Sequence, residues 1–391
     1  MKATSNAHLR RKLLCALVAG ALAAPFAAQT AYALPIEGAN AATNKTEADI
    51  STSGTVMDIV GKTEHNILKW EDFSIEQNEK VRFDGGAQTR DYLNLVTGEG
   101  ASNIYGTIEG GRNVYLVNPH GILFAKDSQV NTGALYLSTA NPADIAAATN
   151  TFKTNGTSPL SASAQMGDVL NLGTVKASKL YIEGKNVKVL NTDAVTDANG
   201  TALTGANVTI RSAETPHIGY DVGNRATANF DESGGSVQHS FYDYAHPNTA
   251  KSASGRGWDV ANLGGTAHTD YDYMRVHDVY DLQNINAKRD GRYILAGDID
   301  ATATTHWNSG EGFQPLGDGG NEFTGRFDGV GHTITGLTIK QPAPTDDAGR
   351  YSRGMFGYTK QAVIENVSLK GATVSGEKDV GGIVGAADYS C

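Results

Sequence analysis

Two carboxylates near the C-terminus are spaced so that they could act together in chemistry. Asp298 and Asp300 stand two positions apart, so on a strand both side chains would point to the same face. Such a pair could serve as general acid and base, or could bind calcium. The alternative is that both cap a turn beside Gly297. The turn is favoured because no oxygen-rich calcium loop surrounds the pair.

The other catalytic and metal-binding residue types form no pattern typical of a site. Four histidines are scattered without the spacing of metal ligands, namely His65, His120, His306 and His332. A nucleophile elbow, a phosphate-binding loop and a Cys–His arrangement are all absent from the sequence. The sequence therefore predicts no catalytic residue, no metal site and no cofactor, and we do not expect an enzyme.

Composition narrows the class of protein. The chain has 391 residues, of which 46 are glycine, 40% are hydrophobic and only 19% are charged. There is enough apolar material for a core, so a mostly disordered protein is disfavoured. The net charge of −10 argues against nucleic acid as a partner, because phosphate binding needs a basic surface. With only Cys15 and Cys391, there is no disulfide framework.

The N-terminus has the pattern of an export signal. Residues 1–12 are basic, an apolar run extends from Leu13 to about Ala28, and Ala31-Tyr32-Ala33 provides the small residues of a cleavage site. The sequence therefore predicts a signal peptide over residues 1–33. The remaining chain has no cysteine before its last residue, which fits a chain that stays extended while it crosses a second barrier. Chance is the alternative explanation.

Short strands, not helices, dominate the rest of the chain. Segments of three to six β-favouring residues alternate with Gly, Asn, Asp and Ser, as in 92–96, 114–117 and 208–210. Only two short helices are predicted, one from Pro142 to Thr149 and one from Val279 to Ala287.

A repeat near the C-terminus indicates how these strands stack. Residues 333–340 align with 363–370 at an offset of 30, with the same alternation of apolar and polar positions. Glycine-led segments at Gly325, Gly354 and Gly382 repeat at offsets of 29 and 28. A fixed period of this length is typical of a solenoid, so a parallel β-helix is favoured. A β-sandwich is the alternative, but hairpin signals such as Asn199-Gly200 are few.

Residues 66–140 resemble the N-terminal secretion domain of filamentous-haemagglutinin-like proteins, the exported partners of two-partner secretion. Five segments carry the resemblance in the family's order: 66–73 (NILKWEDF), 93–98 (LNLVTG), 102–106 (SNIYG), 113–122 (NVYLVNPHGI) and 133–139 (GALYLST). The resemblance implies an all-β fold, a right-handed parallel β-helix over residues 34–270, with small additional strands capping its first coil.

The resemblance also implies a partner and a route. A cognate outer-membrane β-barrel transporter would recognise the domain in the periplasm and export the chain to the cell surface or medium of a Gram-negative-type cell. The residues that would carry this secretion motif are Asn66, Trp70, Phe73, Asn118, Pro119, His120 and Gly121. His120 stands where the family commonly has asparagine, which puts recognition through that side chain in doubt. A turn tolerates histidine, because histidine visits positive φ more readily than most residues.

Residues 280–390 are similar to the glycine-rich GLUG-type repeats of bacterial surface adhesins, through segments such as 291–300, 323–334 and 381–385. Residues 214–275 lie between the two resemblances and are rich in Tyr and His. They form either a packed or disordered insertion, which composition favours, or a ligand surface. The predicted organisation is a signal peptide (1–33), a two-partner-secretion β-helix (34–213), an insertion or connector (214–275) and GLUG-type repeats (276–391).

These features together predict a secreted or cell-surface adhesin that carries its own secretion domain. The alternatives are a secreted carbohydrate-active enzyme on a β-helix and the N-terminal part of a contact-dependent toxin. The chain stops just after a third glycine-led segment, without the polar cap that a solenoid needs. We therefore expect a fragment or a prematurely ended reading frame. The sequence does not identify a receptor or glycan.

Overall fold

The computed structural model describes residues 34–160, 163–232, 234–340 and 352–390. The predicted signal peptide, residues 1–33, lies outside the described residues. The α-helices in these ranges are α1 (Ala41–Glu47), α2 (Ala146–Asn155) and α3 (Val279–Asn284). None of the helices in the described ranges is long and apolar enough to cross a membrane.

Short strands are the predominant regular elements of the described chain, as predicted. Up to residue 262 they are β1 (Ala48–Ser53), β2 (Val56–Gly61), β3 (His65–Trp70), β4 (Lys80–Phe83), β5 (Asp91–Val96), β6 (Ser102–Ile104), β7 (Thr107–Glu109), β8 (Asn113–Val117), β9 (Ile122–Phe124), β10 (Gln129–Asn131), β11 (Ala134–Ser138), β12 (Val169–Asn171), β13 (Thr174–Lys176), β14 (Leu180–Gly184), β15 (Val187–Val189), β16 (Val195–Thr196), β17 (Val208–Ser212), β18 (His217–Tyr220), β19 (Arg225–Glu232), β20 (Gly235–Tyr242) and β21 (Asp259–Asn262).

The strands beyond residue 262 are β22 (Asp272–Val276), β23 (Arg292–Leu295), β24 (Ile299–Asp300), β25 (Arg326–Asp328), β26 (Thr333–Thr335), β27 (Thr338–Ile339), β28 (Phe356–Lys360), β29 (Val363–Glu365), β30 (Ser368–Lys370), β31 (Thr373–Val374) and β32 (Val384–Asp388). The described chain divides into two compact units. The first unit contains residues 34–220 and 250–272, and the second contains residues 221–249 and 273–390. The domain boundaries given by the sequence stay predictions.

Parallel pairing between successive turns of the chain builds the first unit. One sheet has the order β1-β2-β4-β7-β10-β13-β16, and a second has the order β21-β17-β14-β11-β8-β5-β3. A third side contains β6, β9, β12 and β15, which also pair in parallel. Each turn of the chain adds one strand to each side. The prediction of an all-β parallel β-helix is confirmed.

Columns of aliphatic side chains fill the interior of this unit. Val81 pairs with Ile108, Ile108 with Val130, Val130 with Val175, and Val175 with Val195. All five side chains are at most 1% exposed. Each coil buries its apolar residues only against the coils beside it, which is how a solenoid is stabilised.

Two additions depart from the regular coil. At the N-terminal end, α1 precedes β1, and β1 pairs with β2 in antiparallel register. Between β11 and β12 the chain leaves the coil and forms α2, which packs on β3. The predicted helix from Pro142 to Thr149 is therefore placed too early, because the structure begins it at Ala146 and ends it at Asn155.

The second unit contains further parallel pairs and one hairpin. β23 pairs with β25 and β25 with β29, while β24 pairs with β26 and β26 with β30. The hairpin β19–β20 lies within the segment predicted as an insertion. Phe230 on the hairpin contacts Trp307, with ring centroids 4.8 Å apart, and His239 stacks on Tyr280 at 3.8 Å.

The repeat register predicted from the sequence is partly wrong. Thr333 pairs with Ser368, not with Val363 as the offset of 30 predicted. By contrast, Phe356 pairs with Val384, which agrees with the offset of 28 between the glycine-led segments. Strand pairing depends on the length of every intervening turn, and the alternation of apolar residues alone does not determine that length.

Candidate functional site: the secretion motif residues

The seven predicted motif residues lie in two groups within the first unit. Asn66 and Trp70 belong to β3, and Phe73 lies three residues beyond the end of that strand. Residues 118–121 form the turn between β8 and β9. Both groups therefore stand where a strand of one side gives way to the next side of the coil.

Asn66 organises the turn that enters β3. Its side chain is fully buried, and its Oδ1 accepts hydrogen bonds from the backbone N–H of Thr63 at 3.1 Å and from the Thr63 hydroxyl at 3.2 Å. Its Nδ2 donates to the carbonyls of Thr63 at 2.8 Å and Asp91 at 3.3 Å. One side chain thus holds the turn closed and ties it to β5, the neighbouring strand.

Trp70 and Phe73 pack together inside the coil. Their rings meet edge to face with centroids 5.5 Å apart, and both are at most 1% exposed. Trp70 Nε1 donates to Asn94 Oδ1 at 3.0 Å, and Asn94 Nδ2 donates to the carbonyl of Tyr115 at 3.0 Å. Asn94 therefore links three successive strands through the core. A buried polar group needs such partners, because an unmade hydrogen bond there is costly.

The turn at 118–121 is closed by its first residue. Asn118 Oδ1 accepts from the backbone N–H of His120 at 2.9 Å, and the carbonyl of Asn118 accepts from the N–H of Gly121 at 3.2 Å. Asn118 Nδ2 reaches the preceding coil, donating to the Gly100 carbonyl at 2.9 Å and to Ser102 Oγ at 3.0 Å. This is the geometry in which an Asn side chain mimics a backbone turn.

The prediction that the turn tolerates His120 because histidine adopts a positive φ is wrong. The positive φ of this turn falls on Gly121, at +114°, and His120 is not among the described residues with positive φ. His120 is exposed and Pro119 is partly exposed. The other five motif residues are buried in the folded unit. The motif is therefore, in the folded state, mostly part of the core.

Sequence reasoning missed Asp91, a charged centre beside the motif. The Asp91 carboxylate is 2% exposed and accepts from Arg112 Nε at 2.8 Å, from Asn113 Nδ2 at 2.8 Å and from His65 Nδ1 at 2.7 Å. Burial by itself would raise the pKa of Asp91, but these hydrogen bonds, that of Arg112 first, outweigh it and hold the pKa below its usual value. Residues more than 20 positions apart supply the bonds, so no local pattern marks them.

Glu183 is a second buried acid that the sequence did not indicate. Its two carboxylate oxygens accept from Ser138 Oγ at 2.6 Å and from Tyr181 Oη at 2.9 Å. Burial raises the pKa of Glu183, and the two hydroxyl donors offset this only in part. Ser138 belongs to a segment that carried the family resemblance, so part of that segment's role is to satisfy this acid.

Asp298 and Asp300 both accept hydrogen bonds from backbone N–H groups. Asp300 Oδ1 accepts from the N–H of Thr302 at 2.9 Å and from its hydroxyl at 2.7 Å. Asp298 lies just before β24, and its Oδ1 accepts from the N–H of Thr333 at 2.8 Å. Asp300 therefore caps a local turn, as the sequence favoured. Asp298 instead binds the backbone at the start of β26, so the prediction that both acids cap a turn beside Gly297 is wrong for Asp298.

The chain belongs to the TPS secretion domain family. The family's match covers residues 36–242, which includes both groups of motif residues and the strands that hold them. The resemblance to exported partners of two-partner secretion is therefore confirmed. The family is defined by a secretion domain and not by a catalytic activity.

Among curated proteins, the chain is 34% identical over 205 residues to halomucin of Haloquadratum walsbyi. That match covers 51% of this chain and 2% of halomucin. The chain is 32% identical over 151 residues to the heme/hemopexin-binding protein of Haemophilus influenzae, covering 38% of this chain and 16% of that protein. It thus spans only a small part of either relative.

Among solved structures, a similar one is the crystal structure of the HMW1 secretion domain from Haemophilus influenzae. The sequences are 17% identical, and the superposition covers 85% of this chain and 72% of that domain with a TM-score of 0.31.

Proposed function

We propose that this chain is the N-terminal region of an exported surface adhesin, and that its β-helix directs export through a cognate outer-membrane transporter. The family match over residues 36–242 is the observation that carries the proposal. The absence of cysteine between residues 16 and 390 is compatible with it, because a chain without cross-links can cross a narrow pore in extended form. Adhesion itself rests on the resemblance to GLUG-type repeats.

The burial of the motif supports recognition before folding. Asn66, Trp70 and Asn118 are each fully buried in the folded unit, so a transporter could not reach their side chains there. An unfolded or partly folded chain in the periplasm would still expose them. We therefore assign these residues a double role, as recognition groups during export and as core residues afterwards.

Deletion tests the secretion role. A chain lacking residues 34–140, produced together with its cognate transporter, is expected to stay in the periplasm. A chain lacking residues 276–391 serves as the control and is expected to reach the medium. Export of the first deletion at the normal level would overturn the proposal.

Matched variants separate recognition from stability. Trp70→Ala removes a buried motif tryptophan, while Trp258→Ala removes a buried tryptophan of the same unit outside the motif, which is 4% exposed. Asn118→Ala is matched in the same way by Asn171→Ala. Asn171 is the buried last residue of β12, and its Oδ1 accepts from the Gly173 N–H at 3.1 Å.

The motif variants are expected to block export, and the controls are expected to be exported even if they are less stable. Equal loss of export in each matched pair would leave the motif with a structural role only. His120→Ala is expected to be exported normally, since its side chain is exposed and departs from the family pattern.

Adhesion is tested separately with the exported chain. Purified protein is expected to bind epithelial cells or immobilised glycans in a saturable way, and a chain lacking residues 276–391 is expected to lose that binding. Binding that is unaffected by this deletion would place the adhesive surface elsewhere, and no binding to any surface would remove the adhesin role.

A further inference from the structure

A pocket in the second unit is the feature from which a further inference follows. It has a volume of about 390 Å³ and is open to solvent. Its wall is formed by Ala245 after the hairpin β19–β20, by residues 287–290 after α3, and by Asn321, Glu322 and Thr324 before β25. The volume lies near the lower end of the range for small-ligand pockets, about 300–1,000 Å³, so the pocket fits a ligand of modest size.

Polar groups dominate the wall of this pocket. Glu322 contributes a carboxylate, Asn321 a carboxamide and Thr324 a hydroxyl. The methyl groups of Ala245 and Ala287, both exposed residues, provide a small apolar area beside them. A ligand that matches this wall is therefore polar over most of its surface and has a small C–H face.

Two charged side chains of the wall have no ion-pair partner. Lys288 Nζ and Asp290 Oδ1 lie 3.0 Å apart and pair with each other. Arg289 donates from Nη1 to the carbonyl of Asn286 at 2.6 Å, and within the described residues neither Arg289 nor Glu322 is paired with an opposite charge. A guanidinium can bind a carboxylate through two parallel hydrogen bonds, and a carboxylate such as that of Glu322 can accept from hydroxyl groups.

Backbone contacts hold the two main parts of the wall together in the absence of a ligand. The N–H of Thr324 donates to the carbonyl of Arg289 at 3.0 Å. A Cβ on Gly325 would stand 2.0 Å from the carbonyl oxygen of Gly291, so glycine is required for this close approach. A wall that is already ordered lowers the entropy cost of binding.

We propose that this pocket binds a sugar that carries a carboxylate, either a sialic acid or a uronic acid residue of a glycan. Arg289 would pair with the carboxylate, Glu322 would accept from ring hydroxyls, and the two alanine methyls would contact the C–H face of the ring. The net charge of the chain is −10, so recognition of an anion depends on the local guanidinium and not on a general attraction. The inference rests on the proposed adhesive role of residues 276–391 and names the class of its ligand.

Calorimetric titration of the full exported chain tests the proposal with three probes: sialyllactose, a hyaluronan tetrasaccharide and lactose. At least one acidic probe is expected to bind about 10-fold more tightly than lactose or better, and the probe that binds identifies the acidic sugar. Arg289→Gln is expected to weaken binding of that probe by about 10- to 100-fold and to remove the preference over lactose. Arg225→Gln removes the same charge from an exposed arginine on β19, outside the pocket, and is expected to bind like the unchanged chain.

Glu322→Gln tests the hydroxyl-binding side of the pocket. It is expected to weaken binding of the acidic probe and to leave the dependence on the carboxylate intact, because Arg289 is still present. Glu311→Gln, at an exposed glutamate of the same unit that does not line the pocket, is the matched control and is expected to change nothing.

Acidic probes that bind no more tightly than lactose overturn the proposal, as does a preference for them that survives Arg289→Gln. If that variant does not fold, hydrogen exchange of the unchanged chain decides. The acidic probe is expected to slow exchange at residues 288–291 and 321–324, and unchanged exchange there overturns the proposal. A chain that adheres to cells but binds neither acidic probe refutes the pocket and leaves the adhesive role. A chain that binds a probe but adheres to no surface refutes the adhesive role alone.

Discussion

Gly121 shows how one backbone position constrains the motif turn. Its φ of +114° is a conformation that side-chain-bearing residues rarely adopt, and a Cβ there would stand 3.2 Å from the carbonyl oxygen of Asp168. Gly121→Ala is expected to lower the free energy of unfolding by about 1–3 kcal/mol in urea denaturation. Gly200→Ala is the control, since Gly200 also has a positive φ, +80°, but no atom lies within 4 Å of its Cβ position.

Gly200→Ala is expected to lower the free energy of unfolding by about 1 kcal/mol, which is the penalty of the left-handed conformation alone. The difference between the two variants measures the close approach of the Asp168 carbonyl. If both variants lose the same free energy of unfolding, the turn relaxes around the added methyl group. Glycine would then be needed at position 121 only for its positive φ and not for the close approach of Asp168.

Asp281 sets a pH dependence for the second unit. Its carboxylate is fully buried and accepts from the backbone N–H groups of Tyr242 at 2.7 Å and His277 at 3.1 Å. Burial, followed by the nearby charge of Asp278, raises the pKa of Asp281 to about 6. The folded state therefore holds the proton more tightly than the unfolded state, and its contribution to stability is lost as pH rises from about 4 to about 6.

Asp281→Asn removes this titration. The unfolding free energy of the unchanged chain minus that of the variant is expected to fall by about 2 kcal/mol between pH 4 and pH 6 and to stay constant above pH 7. Urea denaturation at unit pH intervals provides the measurement, and other titrating groups cancel in the difference. A difference that does not vary with pH would contradict the assignment to Asp281.

At the scale of elements, the excursion that carries α2 covers the outer face of the second sheet. Phe152 is fully buried, and its ring meets those of Tyr115 at 5.4 Å and His65 at 5.9 Å, both edge to face. All six residues of β5 are buried as a result, whereas a strand of a coil without such cover would bury only its inward face. The excursion therefore adds a second small core outside the coil.

Phe152→Ala is expected to lower the free energy of unfolding by about 3–5 kcal/mol, as for other buried aromatic truncations. Faster hydrogen exchange should accompany this loss in α2 and at the Ile67 amide, whose N–H donates to Glu47 Oε2. Lys153 on α2 contacts the same Glu47 oxygen at 2.5 Å, and this contact would be lost when α2 no longer packs on the sheet. Asn150→Ala on the exposed face of the same helix is the control and should change stability by less than about 0.5 kcal/mol. A cost for Phe152→Ala near that of the control would show that the excursion is not packed on the sheet.

The placement of α2 shows what local sequence can and cannot predict. The alanines at 146–148 indicated a helix, but its extent depends on two residues outside the predicted range. Phe152 anchors it in a cluster with Leu93 and Val117 on strands far away in sequence. Gly156 ends it with a φ of +72° and an N–H bonded to the carbonyl of Phe152. The glycine was a usable local signal, whereas the distant strands were not.

α1 was not predicted at all, for a related reason. Its seven residues contain no large apolar side chain, so they resemble a polar loop in the sequence. What fixes the helix is the fit of Asn44 and Glu47 to the edge of β3, and an edge that needs covering becomes visible only when the sheet is known. A local sequence indicates which residues are buried when they are apolar. It does not indicate which polar residues are buried because they bond to backbone far away in the sequence.

At the scale of the whole molecule, the fold class followed from the sequence while the register did not. Alternating short strands and a repeat of turns indicate stacked coils, and the buried column through Val81, Ile108 and Val130 agrees with that pattern. Excursions of unequal length interrupt the coils, as between Val130 and its neighbour Val175. A solenoid tolerates these because each coil needs only its neighbours, so the count of residues per turn varies along the chain.

Transit through a transporter pore predicts that a cross-link between coils blocks export. Asn131 and Lys176 are exposed partners on the parallel strands β10 and β13, so cysteines there would stand close enough for a disulfide. In a Cys391→Ser background, Asn131→Cys/Lys176→Cys should accumulate in the oxidising periplasm, because the closed loop is wider than one extended chain. Added reductant should restore its appearance in the medium. Each single cysteine variant should be exported with or without reductant. Normal export of the oxidised double variant would show that the chain does not need to be extended and uncross-linked when it crosses the outer membrane.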